Sequence, residues 1–374
     1  MRHLRHSLCA IVAALLFAAG PAFAAGDFQF NVNYGPGMPV GSDARTAFQA
    51  AVDAWSTRIT SPFPVQININ ADLGTTDQDG NPFGDMVIGS TAAASYGVNS
   101  SDINLNYDTV RNTMAARAVR PGDSILAALP TSAQVRANVP ANATFDNTTL
   151  GVLRANQKAL GLLTPMNPTY GLADGFISFN SAFNFDYKRS DGVDFNKYDF
   201  QTAATHEIGH VLGFLSDVDD FDSIPGLTSD NLTTLDLFRF GQAPTSASEF
   251  TNFARELRPG IPSVTSDTIN SYDMSTGASI LGDGNQASHW KDDIQNGGQY
   301  IGIMDPRINL GQIEDLTDAD IRAMELIGYD TVPEPAGVGV LVIAAGVLAW
   351  RRRPRPCEPA SPPGRVAPAA GCCK

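Results

Sequence analysis

Cysteine is missing from the whole stretch between residues 25 and 335; the four in the chain are Cys9, Cys357, Cys372 and Cys373. A domain there must hold itself without disulfides, by its core or by bound ions. It also lacks a thiolate with which a propeptide could block a metal. Histidine is scarce too. There are five, and His3 and His6 sit at the extreme N-terminus, leaving His206, His210 and His289. Positive charge is the third shortage: 25 basic residues face 39 acidic ones, a formal charge of -14. Eight basic residues but a single acidic one lie outside 25–335, so that stretch carries 17 against 38, net -21. A chain this acidic excludes a nucleic-acid binder, which needs a basic face to meet phosphates. With 43% hydrophobic and 17% charged residues it is not disordered throughout, and its length allows ample core.

Both ends read as addresses. Arg2 and Arg5, an apolar stretch from Leu8 to Ala19, and Ala22-Phe23-Ala24 make residues 1–24 a cleavable secretory signal. At the other end Val332-Pro333-Glu334-Pro335 precedes 15 apolar or glycine residues, Ala336 to Trp350, and then Arg351-Arg352-Arg353. A helix of that length covers about 22 Å against a hydrocarbon core of ~30 Å, a marginal span with its arginines set to stay cytoplasmic. The order of these three parts over 332–353 resembles the PEP-CTERM sorting signal of Gram-negative bacteria. That resemblance implies an exosortase-type sorting machinery as a partner and a secreted or cell-surface destination. It also implies membrane contact only through this segment, transiently. Residues 354–374, rich in Pro and Ala, run past the basic cluster and read as a disordered tail.

Between the addresses the pattern is mixed. Ser42 or Asp43 can cap a helix with Phe48, Val52, Trp55 and Ile59 on its apolar side, ended by Pro62 and Pro64. Val65, Ile67 and Ile69 alternate with Gln66, Asn68 and Asn70 as a half-buried strand. Ile177, Phe179, Phe183, Phe185 and Tyr187 share one parity and predict a second strand over 177–187, either an edge along a cleft or an interior strand. Short helices are expected around 108–118 and 150–162. Thr317 with Asp320 reads as a helix N-cap pair, with Ile321, Met324 and Ile327 following up to Gly328. The expected fold class is α+β, one domain over 25–331.

The chemistry concentrates at Thr205-His206-Glu207-Ile208-Gly209-His210. On a helix, residues four apart share a face, so two imidazoles can meet one zinc, while Glu207 sits about 100° further round, placed to reach water. A catalytic zinc takes three protein ligands and leaves a position open for water. Candidates for the third are His289, 79 residues beyond His210, then Asp217 or Asp219, and more weakly Glu249. Ser216, three residues after Gly213, is a poor zinc ligand.

His206-Glu207-x-x-His210-x-x-Gly213-Phe214, a long insertion, then Ser288-His289-Trp290 and Ile303-Met304-Asp305-Pro306 resemble the leishmanolysin-like branch of the metzincin metallopeptidases. The resemblance covers about 199–330. It implies a zincin fold with a mixed sheet, an active-site helix and a cleft between an upper part ending near 213 and a lower part over 214–331. It implies His206, His210 and His289 as zinc ligands, Glu207 as catalytic base, and Met304 as the Met-turn residue beneath the zinc. The activity implied is endoproteolysis of a polypeptide substrate by a zinc-activated water. Unlike that branch, this chain has no cysteine in the domain, and Pro306 stands where some metzincins have a tyrosine.

Calcium is a weaker expectation. Asp217, Asp219, Asp220 and Asp222 form one acidic run, and Asp77, Asp79, Asn81 and Asp85 another. Carboxylate oxygens suit hard cations, but neither run places the glycine of an EF-hand loop. Trp55 is expected in the core, and Trp290 either in the core or as a wall beside the zinc. The alternative to an enzyme is a non-catalytic surface or biofilm-matrix protein that keeps the same fold.

Overall fold

Ser42 starts the first helix, α1 (Asp43–Ser56), by accepting a hydrogen bond from Arg45 N at 3.2 Å. Its apolar side buries Phe48, Val52 and Trp55. Ile59 falls beyond the helix end, in a two-residue strand Ile59–Thr60 that pairs with Asp330–Thr331. The computed structural model describes residues 28–93, 104–120 and 122–332, so the signal segment 1–24 and the sorting segment from Pro333 onward lie outside the described residues. Among the described residues no helix is long and apolar enough to cross a membrane.

The main sheet has four strands: β1 (Phe28–Tyr34), β2 (Val65–Gly74), β3 (Gly89–Ala93) and β4 (Gly175–Asn180), in the order β1-β2-β4-β3. The pairs β1–β2 and β2–β4 are parallel, and β3 runs antiparallel to β4. Helix α2 (Phe200–Leu212) carries the His-Glu-x-x-His residues and packs on α1, where Trp55 Nε1 donates to Thr205 O at 2.9 Å. A second core around Tyr107, Leu126, Phe238 and Phe250 lies among smaller sheets built from 104–151 and 229–274. Helix α3 (Asp318–Ile327) closes the fold. The architecture is mixed α+β with several sheets, as the pattern implies.

The long strand over 177–187 is not one strand. It ends at Asn180, whose side-chain oxygen accepts from Ala182 N (3.1 Å) while its carbonyl accepts from Phe183 N (3.1 Å). Phe185–Asp186 then pairs separately with Tyr198–Asp199. The shared parity of the aromatics survives the turn, which is why alternation alone joins the two pieces. Strand β4 is interior; the edges are β1 and β3, and β3 is the one that packs on α2.

Burial is costly at the Lys158–Asp174 pair. Lys158 Nζ donates to Asp174 Oδ2 at 2.6 Å with both side chains fully enclosed. Desolvation pushes Asp174 up to about 6 against the pull of Lys158, and it lowers Lys158. Breaking such a pair leaves a lone buried charge, so Lys158→Met is expected to destabilise by about 3–5 kcal/mol in denaturant titration. The double variant Lys158→Met with Asp174→Leu should recover most of that loss.

Candidate metal centre

Asp199 caps α2 by accepting from Thr202 N at 3.0 Å, and Arg189 holds the same carboxylate at 2.5 Å. Every residue of the helix except Gln201 is buried. It ends at Gly213, whose φ of 120° lies in the left-handed region. There Gly213 N bonds His210 O and Phe214 N bonds Gly209 O, both at 3.1 Å, which turns the chain sharply. That turn delivers the carbonyl of Phe214 to His210 Nδ1 at 2.9 Å.

The other two imidazoles are held in the same way. His206 Nδ1 donates to Ile303 O at 2.8 Å, and His289 Nδ1 donates to Gln286 O at 3.1 Å. With each Nδ1 hydrogen spent on a carbonyl, each Nε2 presents a lone pair. The three Nε2 atoms lie 3.2 Å from one another in all three pairings. At a zinc–imidazole bond of about 2.05 Å, that triangle gives N–metal–N angles of about 103°, close to tetrahedral, so the donors fit such an ion. Burial lowers all three, His206 to about 4, His210 to about 3 and His289 well below its usual value, with repulsion between the rings adding to the effect at His210 and His289. They are neutral, which a metal ligand must be.

Glu207 is buried beside this triad. Thr91 Oγ1 on β3 donates to Glu207 Oε2 at 2.6 Å. Burial raises Glu207 to about 7, and the Thr91 bond opposes that rise. A Cβ on Gly89 would stand 2.7 Å from Glu207 Oε1, so any side chain there would displace the carboxylate. Met304 is fully enclosed, and its sulfur fills the space where a Cβ on Gly209 would project.

His289, not Asp217, Asp219 or Glu249, joins His206 and His210. Asp219 instead accepts from Ala287 N (2.6 Å), Ser288 N (2.9 Å) and Ser288 Oγ (2.5 Å), holding the loop that presents His289. Glu249 accepts from Thr245 N at 2.7 Å. Trp290 is a core residue against Phe214, ring centroids 4.7 Å apart, rather than a wall of the site. Asp217, Asp220 and Asp230 bring carboxylate oxygens within 4.8 Å of one another, while Asp222 accepts from Ser279 N (2.8 Å) instead. Asp77 is occupied by an Asx turn to Asp79 N and Asn81 N. Sequence reasoning missed β3 with Gly89 and Thr91, because Gly-Ser-Thr-Ala-Ala carries no large β-former. It also missed the supporting role of Asp219, whose only signal was its place in an acidic run.

No protein-family model, curated protein or solved structure matches this chain.

Proposed function

We propose that the chain is an exported zinc-dependent metalloendopeptidase of the metzincin type, leishmanolysin-like, with His206, His210 and His289 as ligands. The observation that carries this reading is the convergence of three carbonyl-oriented Nε2 atoms at 3.2 Å, on a helix that also bears a buried carboxylate. A zinc held by these residues would supply a water whose pKa is lowered toward ~7 and a Lewis acid for a carbonyl. Glu207 takes the proton of the attacking water and delivers it to the leaving amine. Thr91 holds the Glu207 carboxylate in place for both transfers. Met304 supports the floor of the site against Gly209.

Substrate is placed on β3. Ile88 O accepts from Asn180 N, which fixes Ser90 as inward-pairing and turns the backbone N–H and C=O of Gly89 and Thr91 toward the open side. An extended polypeptide adding as a further strand there would pass beside Glu207, which favours an endopeptidase over an exopeptidase. Gly89→Ala is expected to push the Glu207 carboxylate aside and lower kcat by roughly 10- to 100-fold with bound metal unchanged. Steady-state kinetics alongside metal analysis checks this.

The deciding experiment digests casein, an unstructured polypeptide, with wild type, chelated wild type and Glu207→Ala. Internal cleavage by the first alone supports the enzyme. One zinc per chain without cleavage favours a non-catalytic surface protein. Full activity in Glu207→Ala refutes the mechanism.

A further inference from the structure

Thr317 and Asp320 form the capping box of α3, with Asp320 Oδ2 accepting from Thr317 N at 2.8 Å. Capping explains that bond and the 3.0 Å bond from Thr317 Oγ1 to the same oxygen, and no more. Capping carboxylates ordinarily face solvent, whereas Asp320 is fully buried. Its Oδ2 also accepts from Ile303 N at 2.8 Å, and its Oδ1 accepts from Trp290 Nε1 at 2.8 Å and more weakly from Met304 N at 3.4 Å. None of these donors carries a charge, so the enclosed anion is held by hydrogen bonds to both oxygens.

Each extra donor belongs to a segment that sets a histidine. Ile303 offers its carbonyl to His206 Nδ1. Trp290 follows His289, and its backbone N–H donates to Met304 O at 2.9 Å. Met304 in turn packs on Gly209. One carboxylate therefore ties the 289–290 segment to the 303–304 turn.

We propose that Asp320 is a positioning residue of the metal site: it fixes the 303–304 turn and the 289–290 segment in the register at which the three Nε2 atoms converge. This rests on the metal-binding reading above. An amide in its place keeps one acceptor oxygen and turns an NH2 group toward N–H donors, so it cannot hold both segments.

The test measures zinc affinity of the tag-free full chain by competition with a chromophoric chelator, together with Tm. Asp320→Asn is expected to weaken zinc binding 10- to 100-fold, the range for losing a group that orients metal ligands. Trp290→Phe, which keeps the ring bulk but removes Nε1–H, should weaken it several-fold. Added to Asp320→Asn it should cost little more, because both changes act on one hydrogen bond. Thr317→Ala removes a hydroxyl that lies 3.0 Å from Asp320 Oδ2 and 2.8 Å from Ile301 O, and leaves the bonds from Ile303 and Trp290 to Asp320; it should lower Tm while zinc affinity stays within two-fold. Wild-type affinity in Asp320→Asn, or equal losses in Thr317→Ala and Asp320→Asn, would overturn the proposal. Should Asp320→Asn not fold, unchanged affinity in Trp290→Phe overturns it alone. A wild type that binds no zinc overturns the metal reading itself, a result distinct from zinc-binding variants that behave alike.

Discussion

Glu207→Gln is expected to lower peptide hydrolysis by about two to four orders of magnitude, the range for removing a general base, and to leave the bound metal in place. The two halves of that expectation come from separate parts of the site. Glutamine has nearly the shape of glutamate, and its side-chain oxygen can still accept from the Thr91 hydroxyl that lies 2.6 Å from Glu207 Oε2. What it cannot do is take a proton from water. The imidazoles are oriented by the carbonyls of Ile303, Phe214 and Gln286, none of which depends on Glu207. Loss should therefore fall on kcat with KM little changed, because the missing interaction acts in the transition state. Kinetics on an internally quenched peptide, with zinc content measured on the same sample, checks both halves. A variant with wild-type kcat removes Glu207 from the mechanism.

Chelation is expected to lower Tm by roughly 6 °C, reversed by stoichiometric zinc. Three enclosed Nε2 lone pairs stand 3.2 Å apart, an arrangement that repels unless a cation lies among them. An ion bound only by the native state, at 1,000 times its Kd, stabilises by about 4 kcal/mol. At about 2.1 cal/mol/K of unfolding entropy per residue, each kcal/mol moves the Tm of a domain of roughly 300 residues by about 1.6 °C. His289→Ala, which removes the ligand supplied from outside the helix, should lose most of this dependence along with hydrolysis. Calorimetry with and without chelator distinguishes the outcomes. A metal-free wild type with unchanged Tm contradicts the expectation.

The sequence makes local features visible and leaves most long-range ones hidden. The caps at Ser42 and Thr317, the turn at Gly213 and the i, i+4 histidines of α2 are set by residues a few positions apart. His289 could be nominated only by its residue type and its resemblance to a known spacing; Asp217 and Asp219 were chemically acceptable rivals. The fold separates them: Asp219 turns to Ala287 and Ser288 and becomes a support for the histidine it competed with. Strand β3 escaped notice because Gly89 and Thr91 take their meaning from Glu207, more than 110 residues away. Asp320 was legible as a cap, since Thr317 is its near neighbour, while its bonds to Trp290 and Ile303 exist only through tertiary packing. Alternation joined two strands into one because Asn180 inserts a turn that preserves parity.

The central claim is that His206, His210 and His289 hold one zinc and leave a place for water. X-ray absorption at the zinc edge, on tag-free protein purified without added metal, tests it most directly. The expected result is one zinc per chain with three imidazole nitrogens and one oxygen ligand at about 2.0–2.2 Å, falling to two imidazoles in His289→Ala. Absence of stoichiometric zinc, or a coordination shell that His289→Ala leaves unchanged, would contradict it.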